Sequence, residues 1–130
     1  MKYKIILLLL ITCLTSCNKS PIKSDVKIKN IKVYYIPFLI TSHGSSTATD
    51  MRALDGFYID KKNKLKSIKK ELLKLTPIKD DFSETDVQLV CDFYNKEGKK
   101  EFTLLCDRFN IKINDKIYKN DKLIDLLISN

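Results

Sequence analysis

At 130 residues, the chain is long enough for one modest domain and too short for two. It carries 24 lysines and arginines against 16 acidic residues, a formal net charge of +8, and its only arginines are Arg52 and Arg108. Because bidentate recognition of phosphate favours arginine, this lysine-based charge argues against nucleic-acid binding. An anionic membrane or glycopolymer surface fits the charge better.

The first 17 residues combine a basic start with an apolar run. Lys2 and Lys4 precede an apolar stretch at residues 5–14, which is shorter than the roughly 20 residues that a membrane-spanning helix needs. Two small residues follow, and then Cys17. This pattern resembles the signals of bacterial lipoproteins, in which the cysteine thiol is acylated and the peptide is cut immediately before that cysteine.

The resemblance implies a removed signal peptide at residues 1–16 and a lipid on Cys17, which anchors the protein in the cell envelope. Losing the two signal lysines lowers the net charge from +8 to +6. In two-membrane bacteria an aspartate after the cysteine retains a lipoprotein at the inner membrane. If the host has two membranes, the resemblance together with Asn18 at that position implies the outer membrane, with the protein facing the periplasm. Residues 17–25 are then a lipidated tether and residues 26–130 a single domain.

Several lysines lie in or just after the tether: Lys19, Lys23, Lys27, Lys29 and Lys32. Near an anionic leaflet each could contribute about 1 kcal/mol of attraction. The alternative is that they are solvated side chains on an edge strand.

Strand-forming and loop-forming segments alternate in the first half of the domain. Residues 26–40 form the first strand region, which is densest at residues 33–36, and Pro37 marks an edge, a bulge or the end of the strand. Residues 41–50 are small and polar, which predicts a loop. A short strand is predicted at Phe57–Ile59.

Residues 63–75 form the clearest predicted helix. Its apolar side chains recur at helical spacing and form one narrow stripe: Leu65, Ile68, Leu72 and Leu75. Lysines lie largely off the stripe, so the helix could lie on a membrane surface. Since the stripe has no Trp or Phe, packing of the helix against a sheet is favoured.

Two segments with period-two alternation, residues 87–93 and 102–106, predict a hairpin with Gly98 in its turn. Cys91 and Cys106 share one face of this hairpin and are a candidate disulfide. A two-residue turn at Glu97 and Gly98 makes them diagonal neighbours, whereas a turn at Gly98 and Lys99 makes them directly opposed. The alternative is two buried free thiols.

A second hairpin, residues 109–113 and 116–118, and a final helix at residues 122–128 complete the pattern. The predicted fold is therefore α+β: a small antiparallel sheet of about five to six strands with one amphipathic helix and a short C-terminal helix packed on one face.

Candidate catalytic and metal-binding groups are sparse. His43 lies near Ser45, Asp50 and Asp55, but the chain has no nucleophile elbow around these residues. We therefore interpret His43 as an exposed loop residue. Four carboxylates lie close together without the spacing of a calcium loop: Asp80, Asp81, Glu84 and Asp86. The sequence predicts no catalytic residue, no metal site and no cofactor.

The sequence thus favours a membrane-anchored envelope lipoprotein that acts as a non-catalytic binding or structural module. Its expected partners, besides the membrane reached through the lipid on Cys17, are an envelope protein or an anionic glycopolymer. An alternative is an immunity- or inhibitor-type lipoprotein that neutralises an envelope-acting toxin or enzyme.

Overall fold

One six-stranded antiparallel sheet and three helices make up residues 20–38 and 45–129, the part of the chain that the computed structural model describes. The elements are β1 (Asn30–Tyr35), α1 (Ala48–Arg52), β2 (Phe57–Ile59), α2 (Lys62–Leu73), β3 (Leu89–Tyr94), β4 (Lys100–Cys106), β5 (Ile111–Ile113), β6 (Lys116–Tyr118) and α3 (Asp121–Ile128). The spatial strand order is β2-β1-β3-β4-β5-β6. The predicted α+β fold is confirmed.

The β3–β4 hairpin lies at the centre of the sheet. Gly98, with φ +78°, ends its turn in the left-handed conformation that favours glycine. Phe93 pairs with Phe102 and their rings stack with centroids 4.2 Å apart. The next pair joins Tyr94 to Lys100, so the residue between Lys100 and Phe102 is a bulge. The pairing of β3 with β4 therefore shifts by one residue at this bulge, so the pair beside the turn is out of register with the rest of the hairpin.

The main core lies between one face of the sheet and helices α2 and α3. Alternate residues of the strands point to this face, as period-two patterning requires. Helix α2 contributes Ile68 and Leu72, and α3 contributes Leu123 and Leu127, all fully buried. The apolar stripe of the predicted amphipathic helix therefore packs against the sheet in the main core.

Glu71 is a buried carboxylate where α2 meets α3. It accepts a hydrogen bond from Asn120 Nδ2 at 3.2 Å and pairs with Lys74 at 3.2 Å and Lys122 at 3.4 Å. These partners, led by Asn120, lower the pKa of Glu71 from 4.5 to about 2. The ionised carboxylate thereby holds the two helices together.

The opposite face of the sheet carries a smaller core under α1. Met51 from α1 packs there with Tyr34, Val87 and Val90. Part of α1 falls in residues 41–50, which the sequence predicted as loop, so that prediction is wrong for Ala48 onward. The helix has fewer than two turns and a single buried side chain, which leaves no apolar period to detect.

The predicted tether also requires correction. Ile22 is only 8% exposed and belongs to the main core. Ser20 Oγ donates a hydrogen bond to the Leu72 carbonyl oxygen at 3.1 Å, which holds the start of this segment near the end of α2. The folded domain therefore includes residues 20–25, and it begins before the predicted boundary at residue 26.

Candidate functional site

A groove with a volume of about 510 Å³ opens between α2 and the segment that precedes β1. Half-buried aliphatic side chains line part of it: Val26, Ile28 and Leu65. The other lining residues are charged: Lys27, Lys29, Lys62, Lys66, Lys69, Lys96 and Asp60. We call this feature the lysine groove.

Helical spacing explains one wall of the groove. Lys62, Lys66 and Lys69 are separated by four and three residues, so they lie on one face of α2. Leu65 lies between them on that face. Lys69 Nζ donates a hydrogen bond to the Val26 carbonyl oxygen at 2.6 Å, which joins this wall to the opposite one.

The opposite wall is the extended segment before β1. The Lys29 backbone N–H donates to the Tyr94 carbonyl oxygen at 2.8 Å and so continues the β1–β3 ladder. Ile28 turns toward the main core, whereas Lys27 and Lys29 are exposed. Lys96 reaches the groove from the β3–β4 turn.

The charge of the groove is strongly unbalanced. Six lysines face one carboxylate, Asp60, and none of the six forms an ion pair with another residue of ranges 20–38 and 45–129. Helix α2 adds to this field, because it starts without an acidic residue in its first turn and without a side-chain cap. Such a site attracts anions.

The lysines that the sequence grouped around the tether separate in space. Lys27 and Lys29 line the groove. Lys32 lies on the other face of the sheet, with its Nζ 4.9 Å from the ring centroid of Tyr58 and 5.5 Å from that of Tyr34. Of this group, Lys19 lies outside the described residues, and the sheet separates Lys27 and Lys29 from Lys32.

A buried ion pair fastens α1 to the sheet. Asp92, almost fully buried, accepts hydrogen bonds from Arg52 Nε at 2.9 Å and Nη2 at 2.7 Å. Thr103 Oγ1 donates to the same carboxylate at 2.6 Å. Burial alone raises the pKa of Asp92, but the hydrogen bonds from Arg52 and Thr103 outweigh it and the pKa is lowered. The hydrogen-bond donors to the Asp92 carboxylate are side chains of the same domain, which indicates a structural role for this ion pair.

Cys91 and Cys106 are buried free thiols, so the candidate disulfide is absent between them. Cys91 pairs with Leu104 and Cys106 with Leu89, which makes the thiols diagonal neighbours. Burial raises the pKa of both thiols well above the ordinary value, so they stay protonated. They act as small core residues.

The remaining candidates divide between described and undescribed residues. Cys17 and His43 lie outside the described residues. Asp50 caps α1, with its carboxylate 2.8 Å from Thr47 Oγ1. Glu84 pairs with Lys112.

In the two described ranges, no three His, Cys, Asp or Glu side chains are grouped as a metal site requires. No helix in these ranges combines the length and apolarity needed to cross a bilayer.

Sequence reasoning missed the groove as a unit. The signal was present in the lysines that lie off the apolar stripe of α2. Locating the opposite wall, however, required knowing that residues 26–29 run beside that helix, and no local pattern indicates this. Comparison of the chain with protein-family models, curated proteins and solved structures finds no match.

Proposed function

We propose that the protein is a membrane-anchored envelope lipoprotein whose single domain is a non-catalytic module that binds an anionic component of the envelope. The lysine groove carries this proposal, because its lining brings six lysines and one carboxylate together in a concave site. Its position supports the link to a membrane. One wall is made by residues 26–29, which follow the proposed acylation site Cys17 by about ten residues.

Anchoring is tested by labelling cells that express the full chain with radioactive palmitate. We expect the wild type to be labelled and Cys17→Ala to be unlabelled. Cys13→Ala removes a cysteine from the signal region and leaves the acceptor in place, so it should be labelled like the wild type. Equal labelling of wild type and Cys17→Ala would contradict a lipid anchor at this cysteine.

Anion binding is tested with the acylated protein in non-ionic detergent, on immobilised dextran sulfate and on uncharged dextran. We expect retention on the sulfated polymer only, and retention should decrease steeply as salt screens the lysines. Equal behaviour on the two polymers would contradict an anion-binding module.

A second candidate function, inhibition of an envelope-acting toxin or enzyme, is favoured by Phe109. This side chain is 70% exposed on a loop held by Asp107, whose carboxylate accepts hydrogen bonds from the backbone N–H groups of Phe109 at 2.8 Å and Asn110 at 2.7 Å. A fixed, exposed aromatic residue is typical of an anchor in a protein interface. A neighbouring toxin gene and a tight one-to-one complex with its product would identify this role.

A further inference from the structure

We infer that the lysine groove binds a single anionic phospholipid, with the headgroup phosphate on the lysines and the start of an acyl chain on the aliphatic side chains. The inference rests on the proposed function and deepens it by naming the class of ligand. The distinguishing observation is that the groove is both basic and apolar.

The basic side of the groove suits a phosphate group. Lys62 and Lys66 project from one face of α2, and Lys96 faces the groove from the β3–β4 turn. The field at the start of α2 is also positive, because its first turn has no acidic residue. Among the described residues Asp60 is the one carboxylate that lines the groove, and none of these three lysines forms an ion pair, so a phosphate between the amines would relieve their mutual repulsion.

The apolar side of the groove distinguishes a lipid from a purely polar anion. Val26, Ile28 and Leu65 are half-buried, so part of each side chain is still in contact with solvent. A sulfated or carboxylated polymer would leave that apolar surface uncovered, whereas an acyl chain would remove it from water. The volume of about 510 Å³ is that of a small-molecule pocket, and it accommodates one headgroup with a short length of chain.

The position of the groove brings it near lipid. Two residues, Asn18 and Lys19, separate the proposed acylated Cys17 from Ser20, which is fixed to α2 through the Leu72 carbonyl oxygen. The three residue steps from Cys17 to Ser20 reach at most about 11 Å when fully extended. Residues 20–29 then run along α2 as far as the groove, so the wall of the groove is continuous with the anchored end of the chain.

Native mass spectrometry of the acylated protein in non-ionic detergent tests the inference. The probes are dioctanoyl phosphatidylglycerol, dioctanoyl phosphatidylcholine and glycerol 3-phosphate. We expect phosphatidylglycerol to bind at least about tenfold more tightly than either other probe, since only it supplies both a net negative charge and acyl chains. Lys62→Gln combined with Lys66→Gln should weaken its binding by about tenfold. Lys70→Gln combined with Lys116→Gln makes the same charge change at exposed positions outside the groove and should leave binding unchanged.

The other outcomes distinguish failure of the lipid inference from failure of the proposed anion-binding function. Equal binding of glycerol 3-phosphate and phosphatidylglycerol would overturn the lipid inference and leave a simple anion site. Equal binding of the two lipids, or equal losses in the two double variants, would also overturn it. If none of the probes binds and dextran sulfate also fails to retain the protein, the proposed anion-binding function itself is wrong.

Discussion

Replacing Leu72 with aspartate is expected to unfold the domain. Leu72 is fully buried in the main core. The change forfeits about 1.5–3 kcal/mol of apolar burial, and it places a carboxylate without a partner in an apolar environment, which costs several kcal/mol more. Together these losses approach the whole stability of a typical domain, about 5–15 kcal/mol.

Circular dichroism of the full chain measures this effect. Leu73→Asp is the matched control, because the neighbouring side chain is 38% exposed and its aspartate remains hydrated. We expect a cooperative thermal transition for Leu73→Asp and none for Leu72→Asp. A Leu72→Asp protein that melts within a few degrees of the wild type would show that this face of α2 is not in the core.

Replacing Asp92 with alanine is expected to destabilise the fold by about 2–4 kcal/mol, since it leaves a partly buried guanidinium and a hydroxyl without their acceptor. Arg52 keeps a third of its side chain in solvent, which places the loss below that of a fully buried pair. Chemical denaturation should show the difference. Asp55→Ala removes an exposed carboxylate and should change stability by less than about 0.5 kcal/mol. Equal stability of the two variants would contradict a role for the ion pair.

The pH dependence of stability provides a second readout for Asp92. Its pKa is lower in the folded state, so its contribution is present above the ordinary value of 3.8 and is lost as pH falls through the lowered value. The wild type should therefore lose stability below about pH 4, and Asp92→Ala should lose less over that range. Glu71, with its pKa lowered to about 2, acts in the same direction, so the dependence is reduced in Asp92→Ala and is not abolished.

Local patterns predicted the elements that have a clear period. The alternation at residues 87–93 and 102–106 gave the central hairpin, and the spacing of Ile68 and Leu72 gave the buried stripe of α2. Both signals arise because one face of each element is buried while the other is not.

Features that depend on partners distant in sequence escaped prediction. Asp92 alternates with core residues along β3, and it is buried because Arg52 from α1 covers it, a contact between residues forty positions apart. Ile22 is one apolar residue in a polar stretch, and only the presence of α2 beside it makes it part of the core. The lysine groove has the same origin, because its two walls come from segments more than thirty residues apart.

The burial of Ile22 has a consequence for the strength of binding that the groove would need. Because the folded domain reaches back to Ser20, the link to the proposed lipid on Cys17 would be too short for the domain to sample a large volume. A ligand in the same leaflet would then meet the groove at a high effective concentration, in the millimolar range for short links. Weak intrinsic affinity would suffice for near-complete occupancy on the membrane, while the same site in solution would be mostly empty.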